Sequence, residues 1–248
     1  MTGRNRWRAF LTLTYMNGII PIRRQPLYLV NLLASPLAFL FFIVIASGGG
    51  LLPYAIGGGM ILTVLSIGTS LQADLSHYRH DMKLQDLMVA TPVEAWVYVS
   101  GMAFSEFVYS IPGMAVFAVL WTLHGGATLV GAATLIAVLL LVWAFASALG
   151  FTLATFFSDV RETFAFSPLI SLGLTVLPPV YYPISSLNST VRPFAYLSPT
   201  TYAADLLHGV VGLGSPSLEA QVIDWAVLIG FTVALLALTT WKARWREP

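Results

Sequence analysis

Long apolar segments alternate with short polar ones along this chain, and the alternation predicts helices that cross a membrane. A helix needs roughly 20 residues to span a hydrocarbon core of roughly 30 Å. The segments predict six spans, near residues 27–47, 51–72, 96–123, 129–157, 164–182 and 222–241. The expected fold class is an all-α integral membrane protein in which residues 1–248 form one transmembrane domain, with the six-span core at residues 27–241.

Composition narrows the class of protein. Hydrophobic residues make up 57% of the chain and charged residues 9%, which excludes a soluble globular protein. The absence of cysteine excludes a disulfide framework, a thiolate nucleophile and a cysteine-based metal site. The net charge is +1 and the basic residues are spread along the chain, so we expect no nucleic-acid partner.

The basic residues predict how the six spans are oriented. Eleven of the 12 Lys and Arg residues fall on one side of the membrane when the spans are laid out, and only Arg192 falls on the other. Cationic flanks are retained on the cytoplasmic side. We therefore predict a multi-pass protein of the plasma (inner) membrane, with both termini in the cytoplasm.

The basic amino-terminal stretch, residues 1–26, predicts a helix that lies in the membrane interface over residues 4–20. The residues expected to face lipid are Trp7, Phe10 and Leu11. Pro21 and Pro26 would then turn the chain into the first span. A frayed basic tail is the alternative that the sequence leaves open.

Residues 74–94, between spans two and three, form the most polar segment of the chain. An apolar stripe at helical spacing runs within it: Leu84, Leu87 and Met88. Thr91, Pro92 and Glu94 match a capping box that would start the third span. Two interpretations remain: an amphipathic linker that rests on the membrane, or a docking element that transmits force from a soluble partner into span three.

The external segment between spans five and six, residues 183–216, combines prolines with aromatic residues and is too apolar for an aqueous loop. Broken backbone at membrane depth must be buried in protein or line a wet cavity. We predict two short re-entrant helices, near residues 187–195 and 202–211, with Ser198 at the start of the second. Asn188 begins a glycosylation sequon, but the motif is short enough to arise by chance.

Four aromatic residues would shape an outer gate on the substrate pathway: Tyr181, Tyr182, Phe194 and Tyr202. An aromatic belt at the membrane interface explains the two adjacent tyrosines, Tyr181 and Tyr182, equally well.

Three sequence elements are familiar in combination. Thr91-Pro92-Val93 precedes the third span, Leu-Pro-Pro-Val-Tyr-Tyr-Pro ends the fifth at residues 177–183, and Leu-Ser-Pro-Thr-Thr-Tyr follows at residues 197–202. Together with the basic interfacial helix and six spans, they make the chain similar to the membrane subunits (permeases) of ABC transporters of the type 2 exporter family. The resemblance covers essentially the whole chain.

The resemblance implies a homodimer, or a pair with a homologous permease, above two cytoplasmic ABC ATPase subunits that hold ATP and Mg. It implies that a coupling helix around residues 83–91 sits in a groove of the ATPase. The residues expected to bind the ATPase are Lys83, Leu84, Gln85, Asp86, Leu87, Met88, Thr91 and Pro92. Substrate would pass outward between the two membrane subunits, near spans one, two and five and the re-entrant helices.

We expect no catalytic residue, bound cofactor or metal in this chain. A phosphate-binding loop needs Gly-x-x-x-x-Gly-Lys followed by Ser or Thr, and neither Lys83 nor Lys242 has that context. The histidines map to loops or interfaces without metalloprotease spacing, which argues against an intramembrane enzyme. His77 and His80 could bind zinc, but histidines in a polar segment are more typically solvated.

A proton-coupled secondary transporter is the alternative, and Glu106, about ten residues into the third span, is its best feature. A single carboxylate without a buried Lys or Arg partner gives little support for a proton relay. We therefore interpret Glu106 as a buried polar group that faces a cavity or another helix. The favoured prediction is an ATP-driven exporter permease that works by alternating access on an amphipathic substrate: a drug, a lipid or a lipid-linked glycan.

Overall fold

The computed structural model describes residues 3–24, 26–80, 93–124, 128–156, 160–214 and 216–242, and within them the regular structure is entirely helical. The α-helices are α1 (Gly3–Thr14), α2 (Ile20–Arg24), α3 (Leu27–Ala46), α4 (Leu52–His80), α5 (Ala95–Leu123), α6 (Leu129–Phe156), α7 (Val160–Thr175), α8 (Arg192–Ala195), α9 (Pro199–Val210) and α10 (Leu218–Lys242). A π-helical turn, Tyr15–Ile19, joins α1 to α2, and a 3₁₀ turn, Ile184–Ser186, precedes α8.

Among the described residues, four helices are long and apolar enough to cross a membrane: α4, α5, α6 and α10. They correspond to the predicted spans two, three, four and six. α3 has the predicted bounds of the first span, but its apolar part, counted over the described residues, covers only Leu33–Ala46. α7 has 16 residues, which reach about 24 Å at the helical rise per residue. The all-α membrane fold is confirmed, while spans one and five stay predictions.

α4 lies at the centre of the helical bundle. Of its most apolar stretch 82% is buried, against 33%, 39% and 22% for α5, α6 and α10. It packs against α3, α5, α6, α7 and α9. Met60, Ile61 and Leu65 of α4 meet Phe117 of α5 and Val142 of α6 in one apolar core. A helix that is surrounded on all sides by other helices needs apolar residues all round, which is the pattern of its membrane-depth half.

Small residues let the backbones of α4 and α6 touch. A Cβ atom added at Gly68 would overlap the carbonyl oxygen of Ala146, and one added at Gly150 would overlap the carbonyl oxygen of Gly68. Close backbone approach through small residues is the usual way in which helices associate in a membrane. Gly59 has a different neighbour, because the ring of Phe117 occupies the space of its missing side chain.

The amino-terminal helix is present and packs against α5. Trp7 and Leu11 are 61% and 46% exposed, and their contact with lipid stays a prediction. Phe10 differs, because it is half-buried and its ring lies 5.4 Å from that of Phe104 in α5. The helix is therefore anchored to the bundle through one edge of its apolar face.

Three helix boundaries differ from the prediction. Pro21 does not turn the chain but lies in the first turn of α2, where proline is tolerated. α4 continues to His80, past the predicted end near residue 72. α7 ends at Thr175 instead of near residue 182, because Pro178 and Pro179 restrict the backbone that follows.

The start of α5 corrects the predicted capping box. The helix begins at Ala95, and Glu94 is its N-cap with an extended backbone, so Glu94 is not the third residue of the helix. Thr91 and Pro92 lie outside the described residues. The predicted capping box is therefore wrong, because Glu94 precedes the helix instead of lying within its first turn.

The external segment contains one of the two predicted helices in full. α9 begins at Pro199 with Ser198 as its N-cap, as the sequence predicts. The helix predicted near residues 187–195 is reduced to the single turn α8. The Thr200 hydroxyl donates to the carbonyl oxygen of Leu174 at 2.5 Å, which ties α9 to the end of α7. Their re-entrant depth in the membrane stays a prediction.

Candidate functional site

A cavity of about 830 Å³ lies between the amino-terminal helical region, α3, α4, α5 and α7. α4 forms one wall through residues four apart: Leu62, Ser66, Ser70, Asp74 and Tyr78. Four residues are close to one helical turn, so this spacing places them on one face of the helix. The face of α4 that carries Ser66, Ser70 and Asp74 therefore forms this wall of the cavity.

Four other parts of the chain complete the cavity. α7 contributes Phe164, Ser167, Pro168, Ser171 and Leu172, again at helical spacing. α5 contributes Glu106 and Tyr109, and α3 contributes Ser35. The amino-terminal region contributes Asn17, Ile20, Pro21 and Arg24. Hydroxyl, carboxyl and aromatic groups thus share the lining with aliphatic side chains.

The cavity brings two carboxyl groups from different helices together. Glu106 of α5 is 6% exposed, and its side chain is hydrogen-bonded to that of Asp74 in α4. Ionised carboxylates only accept hydrogen bonds, so a bond between two carboxyl groups needs one proton. Glu106 is buried and faces the cavity, and it is one half of a pair and not a solitary buried acid.

Hydrogen bonds hold the walls of the cavity in place. The hydroxyl of Ser167 in α7 donates to Oε1 of Gln72 in α4 at 2.9 Å. The hydroxyl of Tyr78 in α4 donates to Oδ1 of Asn17 in the π-helical turn at 3.1 Å. α4 is thereby connected to α7 and to the π-helical turn. Asp74 lies between Gln72 and Tyr78, the two residues of α4 that make these contacts.

The arrangement suits binding of a small amphipathic molecule. Small-molecule sites typically enclose about 300–1,000 Å³ and combine apolar walls with a few convergent polar groups. Here the carboxyl pair and the serine hydroxyls are the polar groups, and the rings of Tyr78, Tyr109 and Phe164 contribute apolar surface.

The residues predicted to bind an ATPase all lie within residues 81–92, outside the described part of the chain. The first charged residue after them, Glu94, is held by two partners. Trp96 Nε1 donates to its Oε2 at 2.6 Å, and Arg6 of α1 forms an ion pair with its other oxygen. The hydrogen bond from Trp96 and the Arg6 guanidinium hold the pKa of Glu94 below its usual value. The downstream end of the segment is therefore tied to α1 as well as to α5.

The aromatic residues predicted for the outer gate lie apart from this cavity. Tyr181 is buried, and its ring stacks on Phe39 of α3 at 5.4 Å. Tyr182 and Tyr202 donate their hydroxyls to nearby carbonyl oxygens, each at 2.9 Å. Phe194 is 68% exposed. None of the four is among the described residues that line the cavity, and their role as a gate stays a prediction.

α9 carries an acid and a histidine one turn apart. His208 Nδ1 lies 3.9 Å from Asp205 Oδ1, and its Nε2 lies 3.3 Å from the carbonyl oxygen of Val180. Burial, together with the nearby charge of Asp224, raises the pKa of Asp205 to about 6. Burial lowers the pKa of His208 to about 4. At neutral pH the carboxyl group is therefore ionised and the imidazole is neutral.

We predict that Asp205→Asn changes how stability depends on pH. Because the pKa of Asp205 is raised on folding, the folded protein binds more protons than the unfolded one between about pH 4 and 6. The carboxyl group therefore lowers the free energy of unfolding as pH rises through this window, by up to about 2.7 kcal/mol for a shift of two units. The melting temperature of the variant, relative to wild type, should rise between pH 4 and 7 in detergent. Glu219→Gln, at an exposed carboxyl group, is the control, and a pH-independent difference for Asp205→Asn contradicts the prediction.

One wall of the cavity could have been predicted from the sequence, but the pattern of polar residues crosses the predicted end of the second span. Ser66, Ser70 and Asp74 recur every four residues, which predicts a polar face on one helix. Ending the second span near residue 72 assigned Asp74 to the cytoplasmic segment. The structure continues the helix through this residue and places it beside Glu106.

The chain matches a family model over residues 9–211, and the family is described as ABC-2 type transporter. The matched region runs from α1 to the end of α9 and includes every helix that lines the cavity. A direct comparison with curated proteins finds no match.

Proposed function

This chain belongs to the ABC-2 type transporter family, and from this premise we propose that it is the membrane subunit of an ATP-driven exporter. Membership makes it a multi-pass permease of an ABC transporter, a membrane component that associates with an ABC ATPase and is not itself an enzyme. The proposal adds the direction of transport, its energy source and the path of the substrate. An amphipathic substrate moves outward by alternating access, and ATP with Mg is hydrolysed in a separate chain.

The observation that carries the proposal is the cavity bounded by α3, α4, α5 and α7. α3, α4 and α7 are the predicted spans one, two and five, which we expect to border the path between two membrane subunits. A lining that mixes carboxyl, hydroxyl and aromatic groups fits an amphipathic substrate better than a purely polar or purely apolar one. With α3 and α7 as the two further spans, the subunit would have six spans and both termini in the cytoplasm.

α5 offers a direct route from the ATPase to this cavity. Residues 83–92 would dock on the ATPase immediately before Glu94, the N-cap of α5. Glu106 lies 12 residues further on, about 18 Å along the helix axis. The helix has no proline between these two residues, so a movement at its start would reach the cavity without a hinge. The ion pair between Arg6 and Glu94 would carry the amino-terminal helix along.

The test is to isolate the tagged full chain from its native membrane in mild detergent and to identify what remains bound by mass spectrometry. We expect an ABC ATPase at near one-to-one stoichiometry, and cross-linking should give a permease dimer. A chain that is recovered without any ATPase, even after cross-linking, would overturn the proposal. A second, different permease in the complex would replace the homodimer with a heterodimer.

The carboxyl pair is the observation that favours the alternative, a proton-coupled transporter. Asp74 supplies the partner that a proton relay through Glu106 would need. In an ATP-driven transporter, by contrast, the pair contributes to binding, and the catalytic cycle does not depend on its titration.

We predict that the complex of the ATPase with Glu106→Gln hydrolyses ATP with the wild-type pH profile. The amide has nearly the shape of the protonated acid and keeps a hydrogen-bond donor for Asp74. Basal ATP hydrolysis of the purified complex between pH 5.5 and 8.5 measures this without knowledge of the substrate. A profile displaced by one pH unit or more, relative to wild type, would give Glu106 a proton role in the cycle.

A further inference from the structure

We propose that the cavity between α3, α4, α5 and α7 binds an amphipathic organic cation, whose ammonium group is held between Asp74 and Glu106. The inference rests on the proposed function, because it names the substrate class of the same cavity. It concerns which molecules bind, and it therefore has consequences that do not require ATP or an ATPase.

The charge of the pair is the first argument. Asp74 and Glu106 share a hydrogen bond and hence one proton, so the ionised pair carries one negative charge. Glu106 is 6% exposed, and burying a charge is costly unless the charge is paired. An ammonium group of the ligand would neutralise the pair and would donate hydrogen bonds to oxygens of both carboxyl groups.

The aromatic lining is the second argument. Tyr78, Tyr109 and Phe164 come from α4, α5 and α7 and surround the same space as the carboxyl pair. The faces of aromatic rings attract cations, and their apolar surface accommodates the carbon skeleton of an amphipathic molecule. Carboxyl groups combined with several rings are a recognition chemistry for organic ammonium ions and not for anions.

Two other residues, a histidine and an arginine, bear on the selectivity. His77 lies one turn from Asp74 on α4 and interacts with its charge. Arg24 lines the cavity from the end of α2, where it is exposed, and solvent and salt weaken its repulsion of a cation. An anion attracted by Arg24 would have to share the cavity with the negative carboxyl pair. The net preference of the cavity is therefore for a cation.

Equilibrium binding of a matched set of fluorescent probes tests the proposal on the purified full chain in phosphatidylcholine nanodiscs. The probes are monodansylcadaverine, a primary amine that is cationic at pH 7, its neutral N-acetyl derivative, and the anion dansyl-6-aminohexanoate. We expect wild type to bind the amine at least about tenfold more tightly than either of the others. The double variant Asp74→Asn/Glu106→Gln removes the negative charge and should reduce this preference to about twofold or less, whereas each single variant leaves one carboxylate and should keep most of it.

Glu219→Gln, which removes an exposed carboxyl group outside the cavity, should keep the full preference. Size-exclusion elution and melting temperature establish that the double variant is folded, and unchanged affinity for the neutral probe shows that its cavity is intact. The proposal is overturned by equal affinities for the three probes in wild type, by tighter binding of the anion, by no binding of any probe, or by a preference that survives in the double variant. Charge-selective binding without an associated ATPase would support the inference and refute the proposed function, whereas an ATPase complex without charge selectivity would do the reverse.

Discussion

Replacement of Gly150 by leucine is expected to prevent recovery of folded protein. A Cβ atom at this position would overlap the carbonyl oxygen of Gly68 and lie 2.9 Å from its carbonyl carbon, so that α4 and α6 would have to separate. Overpacking by even small groups costs about 1–3 kcal/mol, and a leucine adds three more carbon atoms beyond the Cβ. Because native proteins are stable by only about 5–15 kcal/mol, a displacement along the central helix is enough to abolish folding.

Gly150→Ala should give the smaller loss of about 1–3 kcal/mol, and Gly68→Ala a similar one, because its Cβ would overlap the carbonyl oxygen of Ala146. Gly230→Ala in α10 is the matched control, since no atom lies within 4 Å of its added Cβ. There alanine should be neutral or stabilising, by up to about 1 kcal/mol from helix propensity. Fluorescence-detected size exclusion and thermal unfolding in detergent measure all four variants. Equal stability of Gly150→Ala and Gly230→Ala would contradict the backbone contact.

Leu87→Asp is expected to release the ATPase while the chain still inserts in the membrane. In the proposed docking helix Leu84, Leu87 and Met88 form an apolar stripe, and a carboxylate buried in an apolar groove costs several kcal/mol. A loss of about 3 kcal/mol weakens binding more than 100-fold. Co-purification of the ATPase and ATP hydrolysis per permease should therefore both fall to background, and Leu84→Asp should behave in the same way.

Leu84→Met and Leu87→Met are the matched controls, because methionine conserves the volume and apolar character of the stripe. They should keep wild-type stoichiometry of the ATPase. Unchanged elution and membrane yield of the Asp variants separate loss of docking from loss of folding. If the Asp variants keep the ATPase and its activity, residues 83–92 are not the docking element.

The helices were predictable from the sequence wherever local signals determine them. α5 and α6 agree with the predicted spans within one residue at each end, because their apolar runs are bounded by polar or glycine-rich turns. The start of α9 followed from Ser198-Pro199, a signal that needs no distant partner. The end of α4 was missed because the helix continues into polar residues, where hydropathy no longer marks it.

Side-chain partners of Glu94 show where local signals fail. The spacing of Thr91 and Glu94 matched a capping box, yet Glu94 binds Trp96 and Arg6 instead. Arg6 is 88 residues away in sequence, and its guanidinium competes for the carboxylate that the local motif would use. No window of neighbouring residues contains this information.

The sequence alone determined that this chain is a bundle of apolar helices in a membrane, because each helix is defined by the solvation of its own residues. Its motifs also determined the family, which the match over residues 9–211 confirms. Only the tertiary structure decided which faces meet. The pairing of Asp74 with Glu106 and the contact of Gly68 with Gly150 join residues far apart in sequence. Such pairs depend on the rotation and crossing of whole helices, which packing sets and hydropathy does not encode.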